Sequence, residues 1–269
     1  MCYFLTFYLL ESNIGVQRMN NRQQLINDYI QTKNEVTLAE LKELVPSVSE
    51  MTIRRDLEAL ESGGRIVRIH GGARSVKAIN MLVEDAFSKR SATNVDKKRI
   101  IAEKALAYIE DKSSVYIDAG STTMSLAEML PDKQLLISTC ALNIAGELLK
   151  LKNSRINLLG GEVNKNSIST YGPGARAAIE NINIDVAFIA ATAFSVKNGF
   201  SCGNVYDCEL KREILNRSSL RIMLMDSSKV DNTMPYTFAH PKDIDVLITD
   251  DGISNELRSF FIENGTKVL

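Results

Sequence analysis

Apolar residues over Arg22–Ile30 fall at helical spacing, with Leu25, Ile26, Tyr29 and Ile30 at i, i+1, i+4 and i+5. A polar break follows from Gln31 to Glu35. Thr37 then opens a second helix as its N-cap, with Glu40 three residues on to complete a capping box. That helix carries Leu38, Leu41 and Leu44 and stops at Val45-Pro46-Ser47, because proline cannot continue it. Ser49 caps a third helix, whose core face is Ile53, Leu57 and Leu60. Ser62-Gly63-Gly64 ends it. A short β-rich run, Arg65 to His70, turns at Gly71-Gly72. Three helices and a hairpin in so short a stretch, with the second helix of a close pair rich in arginine, predict a winged helix-turn-helix over residues 19–74.

The pattern changes further on. Residues 75–95 show no clear periodicity and read as a linker. From Asp96 short apolar runs alternate with helical stretches. The runs are Ser114–Ile117, Leu135–Ser138, Ile156–Leu159, Val186–Ala191, Leu220–Met225 and Val246–Thr249. The helical stretches fall near 97–109, 122–130, 142–151, 173–181, 207–216 and 254–263. Such alternation predicts a mainly parallel sheet covered by helices over 96–269, an α/β domain. Residues 1–18 are apolar at first but lack a basic start and a small-residue cleavage site. They read as a disordered extension, or as preceding a true start at Met19.

Composition narrows the function classes. The chain has 269 residues, enough for two modest domains, with a net charge of −1. Affinity for nucleic acid must therefore come from a local patch. No apolar run is long enough to span a bilayer, so a cytoplasmic protein without a membrane partner is expected. The four cysteines form no CxxC pair and the two histidines lie far apart. No metal site and no cofactor is expected, and the cysteines read as structural thiols in a reducing compartment.

The patch is found in the N-terminal unit. The second helix of a helix-turn-helix presents its N-terminal residues to base edges, and here these are Ser49, Glu50, Thr52, Arg54 and Arg55. Adjacent arginines point about 100° apart, so one can read a base while the other grips the backbone. No Asp or Glu occurs between Ser62 and Val83, while Arg65, Arg68, Arg74 and Lys77 do, with His70 beside them. A cationic wing suits phosphate contact. The plain alternative is a small helical domain with a solvated charged face.

In the second unit a strand ending at Ile117 runs into Asp118-Ala119-Gly120-Ser121-Thr122-Thr123 and then a helix. Hydroxyls and free amides at a helix start suit a phosphate, although a serine or threonine cap without a ligand looks the same. Thr139 and Gly161 follow the next two strands, at the sheet edge where α/β proteins bind ligands.

The run Val48-Ser49-Glu50-Met51-Thr52-Ile53-Arg54-Arg55-Asp56-Leu57, followed by Leu60-Glu61 and Arg68-Ile69-His70-Gly71-Gly72-Ala73, resembles the DeoR family of bacterial transcriptional regulators. The resemblance extends over roughly residues 20 to 269. It implies operator DNA as partner, repression of a carbohydrate pathway, and a phosphorylated sugar as effector. It also implies a sensor similar to the sugar-phosphate isomerase and CoA-transferase-like fold. Effector contact is implied for Asp118, Gly120, Ser121, Thr122 and Thr123, and less directly for Thr139 and Gly161. Glu209-Leu210-Lys211-Arg212 and Asp226-Ser227-Ser228-Lys229 match regulator motifs, which adds Glu209, Lys211 and Lys229. These last groups could bind hydroxyls, form structural ion pairs or transfer protons. The sequence departs from the family at Cys140, where asparagine is usual, and at Ala190 to Phe194, where a glycine-containing segment is usual. No catalytic residue is assigned. A homo-oligomer, dimer or higher, is expected because paired heads read paired half-sites. Two alternatives stand beside this reading: an isomerase-like enzyme with an accessory domain, and a DNA binder with no effector.

Overall fold

The computed structural model describes residues 19–33, 35–69, 71–75 and 85–269. They fall into two compact units, one within 1–81 and one within 82–269. The reading of residues 1–18 lies outside the described residues.

The first unit comprises α1 (Asn21–Lys33), β1 (Glu35–Thr37), α2 (Leu38–Leu44), α3 (Glu50–Ser62), β2 (Ile66–Ile69) and β3 (Gly72–Ser75). The expected cap forms: Thr37 Oγ1 accepts from the Glu40 amide at 3.2 Å, and the Glu40 carboxylate accepts from the Thr37 amide at 2.8 Å. Ile26, Ile30, Val36, Leu41, Ile53, Leu57, Leu60 and Ile66 make the core. The sequence predicts only the hairpin, yet β1 joins it, giving an antiparallel sheet in the order β1-β3-β2. Three residues are too few to show a period. Asp56, buried on α3, takes the Arg22 Nε at 2.6 Å and the Gln23 Nε2 at 3.1 Å, and so fastens α1 to α3.

The second unit begins earlier than the sequence predicts. Within the stretch read as linker lie α4 (Phe87–Ala92) and the start of α5 (Val95–Ala105). α4 buries none of its six residues, so it shows no apolar stripe; what fixes its end is Lys98 of α5. It is 3% exposed, and its ammonium donates to the carbonyls of Arg90 and Thr93, so a charged residue holds the turn where an apolar one would be sought. Then follow β4 (Ser114–Ile117), α6 (Ser121–Met129), β5 (Leu136–Thr139), α7 (Leu142–Leu148) and β6 (Arg155–Leu158). A hairpin, β7 (Glu162–Asn164) and β8 (Ser169–Tyr171), precedes α8 (Pro173–Ile179) and β9 (Ile184–Ala190). After these come β10 (Ala193–Ser195), β11 (Gly199–Cys202), α9 (Val205–Arg217), β12 (Ser218–Leu224), β13 (Tyr236–Ala239), β14 (Val246–Ile248), α10 (Asn255–Glu263) and β15 (Lys267–Val268).

Seven strands form one sheet in the order β15-β14-β12-β9-β4-β5-β6, and every pairing is parallel. Alternate residues feed the two faces. Tyr116, Ala187, Ile189, Met223 and Leu247 pack to one side. Val115, Ile117, Phe188, Ile222 and Val246 pack to the other. The strand order reverses between β4 and β9, and ligands of open α/β sheets bind beyond the strand ends at such a point. The hairpin β7-β8 and the antiparallel sheet β10-β11-β13 are additions that the sequence pattern does not predict.

Candidate functional site

In the first unit α3 buries Ile53, Asp56, Leu57 and Leu60 and exposes Glu50, Met51, Arg54, Arg55 and Glu58. Ser49 caps it: its Oγ accepts from the Thr52 amide at 3.2 Å and lies 3.0 Å from the Thr52 hydroxyl. Arg54 is held by Glu50, one turn back, at 2.7 Å. Arg68 of β2 reaches Glu58 at 2.9 Å and Glu61 at 2.8 Å, and Arg74 of β3 pairs with Glu35 of β1. The cationic wing is therefore matched by carboxylates from α3 and β1, which sequence proximity could not reveal. Arg55 and Arg65 have no carboxylate partner among the described residues. Arg54 and Arg68 line one shallow concavity between α3 and the hairpin, with Leu38, Glu61 and Gly71. His70 lies outside the described residues.

In the second unit the strand reversal holds a buried ion pair. Lys211 of α9 donates to Asp118 Oδ2, with side chains 3% and 1% exposed. The same oxygen accepts from the Ala190 amide at 3.0 Å, and the Lys211 ammonium donates to the Ala190 carbonyl at 3.2 Å. The last residue of β9 is thus held at both its amide and its carbonyl. Asp207 stands 3.6 Å from the ammonium. Burial alone would lower the Lys211 pKa, but the charges of Asp118 and Asp207 outweigh it and raise the pKa, keeping the group charged. Asp118 Oδ1 is buried without a hydrogen-bond partner among the described residues.

Gly120 has an extended backbone, so a turn does not require it. Close approach does: a Cβ there would stand 2.7 Å from the Ala190 Cβ. The helix it precedes, α6, has no side-chain cap. Thr122 and Thr123 are buried, and the Thr123 hydroxyl donates to the Gly120 carbonyl at 3.0 Å, while Ser121 is half-buried. Thr139 Oγ1 accepts from the Ala141 amide. Gly161 stands at the foot of the β7-β8 hairpin with φ 134°, where a Cβ would meet the Tyr171 carbonyl at 2.3 Å.

Beside the ion pair opens a cleft lined by Arg90, Asn164, Ser167, Asn204, Asp207 and Lys211, with Ala119 and Ala190 to Thr192 at its base. Of the effector residues expected from the sequence, Lys211 lines it directly. Arg90, Asn164, Ser167 and Asn204 escaped sequence reasoning, because they lie on the supposed linker, the unforeseen hairpin and a loop. The group Glu209, Lys211, Asp226 and Lys229 does not assemble around Lys211. Glu209, two positions from Lys211 on α9, is exposed. Asp226 accepts from Asn94 at 3.2 Å and from the Ser228 amide, and Lys229 lies in the turn that follows. Cys140 faces the core: Tyr116 donates its hydroxyl to the thiol at 3.3 Å. Burial, with the charge of Asp118 adding, pushes that thiol up to about 12. Ala190 and Ala191 do line the cleft. Among the described residues no cluster of three or more metal-ligating side chains occurs, and no helix is long and apolar enough to cross a membrane.

A helix-turn-helix unit with a wing, followed by a parallel α/β unit with a polar cleft at its strand reversal, defines a regulator with separate DNA-facing and sensing parts. Residues 22–78 match the DeoR-like helix-turn-helix domain and residues 93–251 the DeoR C-terminal sensor domain. The chain belongs to the DeoR family of transcriptional regulators. It is 34% identical to the uncharacterized HTH-type regulator YulB of Bacillus subtilis, over 86% of this chain and 89% of that one. It is 33% identical to the HTH-type regulator GolR of Listeria innocua, over 92% and 96%. A relative in Escherichia coli O157:H7, 28% identical over 93% of each chain, is provisionally named a transcriptional repressor of the aga operon. Among solved structures, ribose 5-phosphate isomerase A of Methanocaldococcus jannaschii aligns with 51% of this chain and 55% of its own at 13% identity and a TM-score of 0.38. That likeness is too slight to bear on function.

Proposed function

We propose that this regulator is a repressor that binds operator DNA through α3 and the wing and releases it when a phosphorylated sugar enters the sensor cleft. One observation carries the effector reading. Within three residues at the end of β4, on either side of the cleft-lining Ala119, stand a buried carboxylate oxygen without a donor among the described residues, Asp118 Oδ1, and a helix start without a side-chain cap. The oxygen suits a hydroxyl and the helix start suits a phosphate. A phosphorylated polyol carries both groups. Repression of a sugar operon agrees with the name of the E. coli relative. Lys211 argues against an enzyme: its proton is held by two carboxylates, so it is a poor base at neutral pH, and Glu209 stands exposed on α9. Paired half-sites call for a dimer or a larger symmetric assembly, with the ligand shifting its population away from the DNA-competent arrangement.

A thermal-shift screen of the full chain against sugar phosphates and their unphosphorylated parents tests this. A rise confined to one phosphorylated sugar, together with loss of operator binding, is the expected result. No rise with any of them sinks the effector reading and leaves a DNA binder with no sugar signal.

A further inference from the structure

Six residues of α3 are exposed: four are charged, one is Ser62 at the far end, and one is apolar. The apolar one is Met51, the second residue of the helix, with 61% of its surface open. Its polar neighbours are occupied: Glu50 is tied to Arg54, and the Ser49 and Thr52 hydroxyls meet each other across the cap. The first turn of a recognition helix is the part that meets base edges. In the major groove thymine alone presents a methyl group, and an apolar side chain is what distinguishes it. Methionine is unbranched and flexible, so it can settle on such a group without demanding one geometry.

We infer that Met51 reads the 5-methyl group of a thymine in each half-site and so sets part of the operator sequence. The inference rests on α3 being the DNA-reading helix. Arg54 and Arg55 supply hydrogen bonds and phosphate contacts, and Met51 supplies an apolar contact that neither can make.

The test uses the full chain, without effector, and a duplex selected from a random-sequence pool by that protein. Each thymine is replaced in turn by deoxyuridine, which removes only the methyl. Wild type is expected to lose about fourfold in affinity at one position per half-site, the worth of one buried methyl. Met51→Ala is expected to bind wild-type sites more weakly and to be indifferent to uridine at that position. Met51→Leu should keep the sensitivity. Met51 is exposed, so these variants should melt with wild type. Re-selection with Met51→Gln should exchange the thymine for a base that offers a hydrogen-bonding pair, adenine first. If a duplex is enriched but no uridine matters, or if Met51→Ala stays as sensitive as wild type, the inference is overturned while the DNA reading survives. If no duplex is enriched, both fall together.

Discussion

The arginine pairs beside α3 and the ion pair at the strand reversal handle charge in opposite ways. In the DNA-facing unit the arginine–glutamate pairs are exposed: Arg54 and Glu50 keep 53% and 60% of their side-chain surface open. Such pairs add about 0–1 kcal/mol and exchange partners easily. A phosphate or a base can therefore take Arg54, Arg68 or Arg74 from its carboxylate at little cost. In the sensor unit Asp118 and Lys211 are closed off, and removal of either partner leaves a charge in a dry place. The exposed pairs hold side chains in waiting, while the buried pair fixes the backbone around the cleft.

Breaking that buried pair should have the largest effect. Lys211→Met is expected to cost about 3–5 kcal/mol by urea denaturation, because Asp118 loses its ammonium. Asp118→Asn combined with Lys211→Met should recover much of the loss. If the single variant is as stable as wild type, the pair is not what holds the strand reversal. Next comes Gly120→Ala, whose new methyl meets Ala190. It should lower the melting temperature, and Ala190→Gly in the same chain should restore it. Arg55→Ala should weaken operator binding by about 1–3 kcal/mol in a gel-shift titration and leave the melting temperature unchanged. Glu61→Gln should leave the melting temperature nearly unchanged and tighten DNA binding slightly by loosening Arg68. The smallest effect is one of pH. Hydrogen bonds from the Thr37 amide, then Lys33 and the Thr37 hydroxyl, hold Glu40 down to about 2. A depressed carboxylate stabilises above its ordinary value of 4.5, and the gain fades as the pH falls towards 2. Glu40→Gln, which cannot titrate, should reduce the stability difference between pH 5 and pH 2.5, followed by circular dichroism.

Much of this was legible in the chain. The Thr37–Glu40 box, the Ser49 cap and the Ile53–Leu57–Leu60 face are local, and local signals survive into the structure. The apolar strand runs likewise foretell a parallel sheet, because strands buried on both sides need no polar alternation. What escaped was non-local. Glu35 is 39 residues from Arg74, and Asp118 is 93 from Lys211, so neither partnership has a spacing to read. The hairpin β7-β8 is short and half exposed, so its residues carry no clean alternation, and with it the cleft-lining Asn164 and Ser167 went unseen.

The helix α4 has a consequence for communication. Its Arg90 lines the cleft, the Phe87 amide donates to the Asn166 carbonyl at 2.7 Å in the hairpin turn, and Lys98 locks its far end. Among the described residues it is also the first helix of the sensor unit in chain order. Input and output can therefore share a component: Arg90, which lines the cleft, stands on the earliest described helix of the sensor unit.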